Sequence, residues 1–128
     1  RYDELLLGPA FAVERILRKN NLKLDDVGVV EIHEAFAGQV LANMAALDSD
    51  KFAADRFPGG KKVGRFDMDK TNVLGGSLAV GHPFGATGGR IVTTAINRLQ
   101  RENQRFAILS ACADGGLAHG CLLERYDN

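Results

Sequence analysis

Three residues in this chain could do proton-transfer or thiol chemistry, and each lies next to backbone that glycine or a strand end would position. The first is His82 in "GHPFGATGG" (81–89), where one imidazole sits among four glycines and a proline. Glycine clusters mark tight turns or close backbone approach, and proline suits the first turn of a helix. His82 is therefore expected at the mouth of a helix, where a neutral imidazole can exchange protons near pH 7, or serve as an ordinary loop histidine. The second is Cys112 in "CADGG" (112–116), whose glycines free the backbone to present N–H groups, the material of an oxyanion hole. A buried, inert thiol is the competing reading. The third is His33, followed by Glu34. A zinc-protease H-E-x-x-H would need a histidine at position 37, which is Ala. No other metal-ligand spacing occurs, since the two cysteines are Cys112 and Cys121, and His119 reads as structural. The glycine loop fits neither a Walker loop nor G-x-G-x-x-G, because its glycines fall at 81, 85, 88 and 89.

These residues need elements to carry them. "GPAFAVERILRKNNL" (8–22) predicts a helix ending near Asn20 and Asn21, "AFAGQVLANMAAL" (35–47) a second, and residues 85–103 a third with Ile91, Ala95 and Leu99 on one face. Apolar runs predict strands at 27–32, 106–112 and 119–126, the last two joined through Gly115 and Gly116, and a glycine-bent strand at 72–80. Residues 48–71 carry 11 charges, six positive and five negative, around Pro58-Gly59-Gly60, and predict a solvated excursion outside the core. Lys61, Lys62 or Arg65 could meet a phosphate there, although mixed charge fits a plain surface loop better. Strands alternating with helices predict an α/β sheet with helices packed on it, and ligands in such sheets collect beyond the carboxyl ends of the strands. His33, Cys112 and His82 all fall at such ends.

Composition narrows the classes. The chain of 128 residues balances 16 Lys+Arg against 16 Asp+Glu, suits one domain over 1–128, and offers no footprint for nucleic acid or an anionic membrane. No apolar run approaches the roughly 18–20 residues of a membrane span. The start "RYDELLLGPA" lacks a signal-peptide core, and two cysteines without a framework favour free thiols.

"HEAFA" (33–37), "NVLGGSLAVGHPFGATGGR" (72–90) and "CADGG" (112–116), in this order, resemble the C-terminal half of a thiolase, closest to the long-chain 3-ketoacyl-CoA thiolases and trifunctional-enzyme β-subunits. The resemblance implies a layered fold of mixed, mostly parallel sheet covered by helices, with this chain beginning after the first strand of the second half. It implies thiolytic cleavage of a 3-ketoacyl-CoA by an acyltransferase of fatty-acid β-oxidation, with coenzyme A as co-substrate and no other cofactor. The family's nucleophilic cysteine would then belong to an N-terminal half absent from this sequence, leaving the isolated chain inactive. His82 would be the base and a donor to the thioester oxygen, and Cys112 would protonate the leaving enolate. His33 would hold the place of the family's water-binding Asn. Backbone N–H groups of Asp114 and Gly115 would form an oxyanion hole, while Phe36 and Ala35 would wall the thioester pocket. Asp114 stands where many members have glycine, and its carboxylate could raise the Cys112 thiol if it faces the site. Implied partners are the N-terminal half, a second copy of the chain, and a hydratase/dehydrogenase α-subunit. The compartment would be cytoplasmic in a bacterium and mitochondrial in a eukaryote. Two other functions fit the residues: a biosynthetic acetoacetyl-CoA thiolase, and a non-catalytic acyl-CoA or lipid-binding domain of the same fold.

Overall fold

A computed structural model describes residues 4–126. Helix α1 (Gly8–Asn20) starts with Pro9 in its first turn and stops at Asn21, whose left-handed backbone (φ 53°) lets its N–H cap Arg18 and Leu17 carbonyls. After a short 3₁₀ turn come strand β1 (Val29–Ile32), helix α2 (Ala37–Leu47) and helix α3 (Asp50–Arg56). A single helical turn α4 (Ser77–Val80), the long helix α5 (Thr87–Arg101) and a hairpin of β2 (Phe106–Ala113) with β3 (Leu117–Glu124) complete the chain.

The sheet is mixed, in the order β1-β2-β3. Strands β1 and β2 run parallel with Ile32 beside Ser110, and β2 and β3 antiparallel with Cys112 beside Ala118. Alternation along the strands divides the core in two. On one face Val30, Ile32 and Ile108 pack with Ala10, Val13 and Leu17 of α1 and with Met44 and Leu47 of α2. On the other, Val29, Ala107 and Leu109 meet Ile91, Ala95 and Leu99 of α5. The side chain of Asn43 locks α2 to the start of α1, accepting from the Ala10 N–H at 2.8 Å and donating to the Leu6 carbonyl at 2.8 Å. Cys112 and Cys121 are free thiols. They lie on neighbouring strands but out of register, because Cys121 sits opposite Leu109.

Two expectations need correction. The charged stretch 48–71 is not outside the core: Ser49 caps α3 by accepting the Phe52 N–H at 3.1 Å, and Ala53, Phe57 and Phe66 are buried with the α1–α2 cluster. Phe11, Phe52 and Phe57 stack mutually with ring centroids 5.5–5.8 Å apart. Charge count hid Ala53, Phe57 and Phe66, with Phe52 packed against them. Residues 72–80 are not a strand either. Only Thr71 bridges to Val30; Asn72 then turns through a left-handed conformation (φ 48°), and Val73, Leu74, Leu78 and Val80 all stay exposed. With no buried face, the apolar residues had nothing to hold them extended.

Candidate functional site

The site begins where β1 ends. The main chain of His33 continues the ladder for one bond, donating to the Ser110 carbonyl at 2.8 Å, so the strand delivers the imidazole to a fixed place. The ring is buried, 5% exposed, and its Nδ1 lies 2.9 Å from Ser77 Oγ at the start of α4. Glu34 points back to hold that turn in place. One carboxylate oxygen accepts from Asn72 Nδ2 at 2.7 Å, and the other accepts the Leu78 N–H at 3.0 Å. Asn72 also exchanges side-chain hydrogen bonds with both main-chain groups of Ile32, at 2.8 and 2.9 Å. Its carboxamide thus substitutes for the next residue of a strand. Gly76 must be glycine for this arrangement, since a Cβ there would stand 2.3 Å from the Glu34 carboxylate.

His82 arrives from the α5 side. Gly81 (φ 87°) ends α4 and turns the chain toward α5. There His82 Nδ1 lies 2.7 Å from Thr87 Oγ1, and the hydroxyl of Thr87 also reaches the Pro83 carbonyl at 3.3 Å. Arg90, one turn into α5, donates to the Gly81 carbonyl at 2.6 Å and to Ser77 Oγ at 2.8 Å. The two imidazoles consequently face each other with centroids 4.2 Å apart and planes inclined by 43°. On its other side His82 meets Phe84, centroid to centroid 4.5 Å. Further along α5, Arg98 ties the helix to β1 through a buried ion pair with Glu31 at 2.9 Å.

Electrostatics keeps His33 neutral. Burial lowers its pKa from the usual value, His82 and Arg90 lower it further, and Glu34 only partly opposes them. A neutral imidazole can accept or donate one proton, which suits acid–base work near pH 7. Cys112 is a half-buried thiol near the end of β2, and burial raises its pKa. That burial, rather than the Asp114 carboxylate, sets the direction.

The sequence-derived residues are thus only partly gathered. His33 and His82 are brought into contact. Cys112 lies two residues beyond the Ile32–Ser110 pairing, on the face that Ile108 and Ser110 share. Among the described residues no hydrogen bond joins it to either ring. At the hairpin, Asp114 Oδ1 accepts the Gly115 N–H at 2.8 Å, so that candidate oxyanion donor is already engaged by its neighbour. A cavity of about 580 Å³ lies between residues 5–7, the start of α2 and residues 113–116. Phe36 is 64% exposed, and neither it nor Ala35 lines that cavity. His119 is exposed within β3. Sequence reasoning missed Asn72, Ser77, Thr87 and Arg90, the side chains that hold the histidines. A hydroxyl in the first turn of α5, five residues after His82, was the readable signal.

The profile of the thiolase C-terminal domain matches residues 2–125. A Caenorhabditis elegans protein named probable 3-ketoacyl-CoA thiolase is 52% identical over 97% of this chain and 28% of its own length. The mitochondrial trifunctional enzyme subunit beta of Rattus norvegicus is 48% identical over 97% of the chain and 26% of its own length. Among solved structures, human mitochondrial 3-ketoacyl-CoA thiolase in complex with CoA superposes with a TM-score of 0.80 at 34% identity, over 96% of this chain and 27% of that one. The chain therefore spans little more than a quarter of the length of these relatives. The match of nearly every residue to one profile, together with the shared fold, places the chain in a family: it belongs to the thiolase C-terminal domain family.

Proposed function

We propose that this chain supplies the C-terminal catalytic half of a 3-ketoacyl-CoA thiolase, which cleaves a 3-ketoacyl-CoA with coenzyme A to acetyl-CoA and a shortened acyl-CoA. The observation that carries the reading is the facing pair of His33 and His82, 4.2 Å apart, each tied through Nδ1 to a hydroxyl. In this mechanism a cysteine from the N-terminal half attacks the keto carbon. His82 takes the thiol proton, and the C2–C3 bond breaks to leave an acyl-enzyme and the enolate of acetyl-CoA. Cys112 gives a proton to C2 of that enolate. The thiol of coenzyme A then attacks the acyl group, giving its proton to the Cys112 thiolate, and His82 returns its proton to the departing nucleophile, which leaves as a thiol again. The raised thiol pKa of Cys112 favours its protonated form, as an acid requires.

The test uses the protein that carries this chain together with its nucleophilic half, supplied with a 3-ketoacyl-CoA and CoA. His82→Ala should slow acyl-enzyme formation by about 10²–10⁴, the usual cost of losing a positioned base. Cys112→Ala should chiefly suppress solvent deuterium exchange at C2 of acetyl-CoA. Full exchange and turnover without Cys112 would remove it from the mechanism. Comparing C4 with C16 substrates separates the degradative enzyme from a biosynthetic acetoacetyl-CoA thiolase, and absence of any turnover would favour a binding domain. We extend the proposal to assembly with a second copy and with a hydratase/dehydrogenase subunit, in keeping with the trifunctional relative.

A further inference from the structure

The two histidines are chemically alike, yet the hydroxyls that hold them have different second partners. Ser77 Oγ receives Arg90 Nη2 at 2.8 Å, and a guanidinium has only donors, so Ser77 accepts on that side. Its hydroxyl hydrogen then needs an acceptor, and His33 Nδ1, at 2.9 Å, is the one within reach. Were His33 to donate from Nδ1 instead, the hydrogen of this buried hydroxyl would be stranded. His33 Nδ1 is therefore bare, and the ring's one hydrogen sits on Nε2. Thr87 is arranged the other way. Its hydroxyl can donate to the Pro83 carbonyl at 3.3 Å, and a carbonyl only accepts. That carbonyl also accepts the Ala86 and Thr87 N–H groups at 3.1 and 3.2 Å; where the hydroxyl hydrogen joins them, Thr87 Oγ1 accepts from His82 Nδ1 at 2.7 Å, and both donors are used. His82 thus carries its hydrogen on Nδ1 and keeps a lone pair on Nε2.

We infer that Ser77, backed by Arg90, and Thr87 are positioning residues that fix the two facing imidazoles in opposite tautomers, His33 as an Nε2–H donor and His82 as an Nε2 base. The hydrogen bond at one ring nitrogen decides what the other can do. Among the described residues, the only buried side-chain nitrogen or oxygen atoms without a partner belong to Gln39, so His33 Nε2 is not sealed off from incoming groups. One ring is then set to remove a proton while the other, 4.2 Å away, offers one to a developing negative oxygen. The chemical use rests on the proposed role of His82 as base. The tautomers themselves can be read without turnover.

The experiment is a long-range proton–nitrogen correlation spectrum of protein labelled with ¹⁵N-histidine, at about pH 8, more than a unit above the ordinary histidine pKa. His33 should show the Nε2–H pattern and His82 the Nδ1–H pattern in the same sample. Ser77→Ala should convert His33 to a mixture and leave His82 unchanged. Thr87→Val should do the converse, and Thr87→Ser should restore the Nδ1–H pattern. The inference is overturned if both wild-type rings show one tautomer, or if each substitution leaves its own ring unaltered. Should a variant fail to fold, the wild-type spectrum alone decides. Opposite tautomers in a protein without thiolase turnover would uphold the inference and sink only the catalytic reading.

Discussion

Replacing Arg98 with Met tests how strongly α5, which carries Thr87 and Arg90, is bound to β1, which delivers His33. Arg98 is 1% exposed and Glu31 3% exposed. The guanidinium donates to Glu31 at 2.9 Å, to the Lys70 carbonyl at 3.0 Å, and to both oxygens of Glu102 at 2.7 and 3.1 Å. Methionine fills much of the volume but leaves Glu31 buried without its cation. Breaking such a pair from one side costs about 3–5 kcal/mol, against a total domain stability of roughly 5–15 kcal/mol. Burial already raises the Glu31 carboxyl above its usual pKa, with Arg98 opposing, and removing Arg98 raises it further. The folded variant then binds more protons than the unfolded chain above the ordinary Glu pKa of 4.5. Its deficit should accordingly grow as pH rises through that value and shrink in acid. Urea denaturation followed by circular dichroism, at a series of pH values, measures both effects. Adding Glu31→Leu should recover most of the loss, because an apolar pair of similar volume can replace a buried ion pair at little cost. A single variant that loses less than about 1 kcal/mol, or a double variant no better than the single, would refute the reasoning.

Three further outcomes follow from individual contacts. Stability should decline as pH falls below about 6.5, because the unfolded imidazole of His33 takes up a proton that the folded one resists; His33→Asn should flatten that part of the urea-midpoint profile. Asp114→Gly should leave the pH profile of Cys112 alkylation superimposable on wild type, since burial raises this thiol, while hydrogen exchange at the Gly115 amide quickens as its carboxylate partner disappears. Gly120→Ala should cost about 1–3 kcal/mol in denaturant unfolding, because its Cβ would stand 2.6 Å from Ile16 Cδ1 and 3.0 Å from Ala12 Cβ, forcing α1 off the hairpin.

What the sequence made legible was whatever short-range pattern controls. Helices α1 and α5 announce themselves by Pro9 and by apolar spacing, and β2 by an unbroken run of small and branched residues. His33 and His82 could be singled out because a strand end and a glycine loop are local signals. What stayed hidden depends on partners far along the chain. Phe57 and Phe66 look like parts of a charged loop until α1 is laid against them. Residues 72–80 look like a strand until Asn72, Glu34 and Leu78 are seen to bond across about forty positions. Ser77 reveals no purpose without His33, 44 residues earlier, and Arg90 none without Ser77.

The contact between Gly76 and Glu34 also limits how this sequence can drift. No side chain can be added at position 76 while the carboxylate occupies the space. Nor can Glu34 simply be shortened, because the Leu78 N–H and the Asn72 amide would lose their acceptor. Each residue bars change at the other, so single replacements at either position meet a barrier that only a paired exchange could cross. Two positions 42 apart are thus tied by one contact, and the distance in space between the strand end and the glycine turn is held fixed with them.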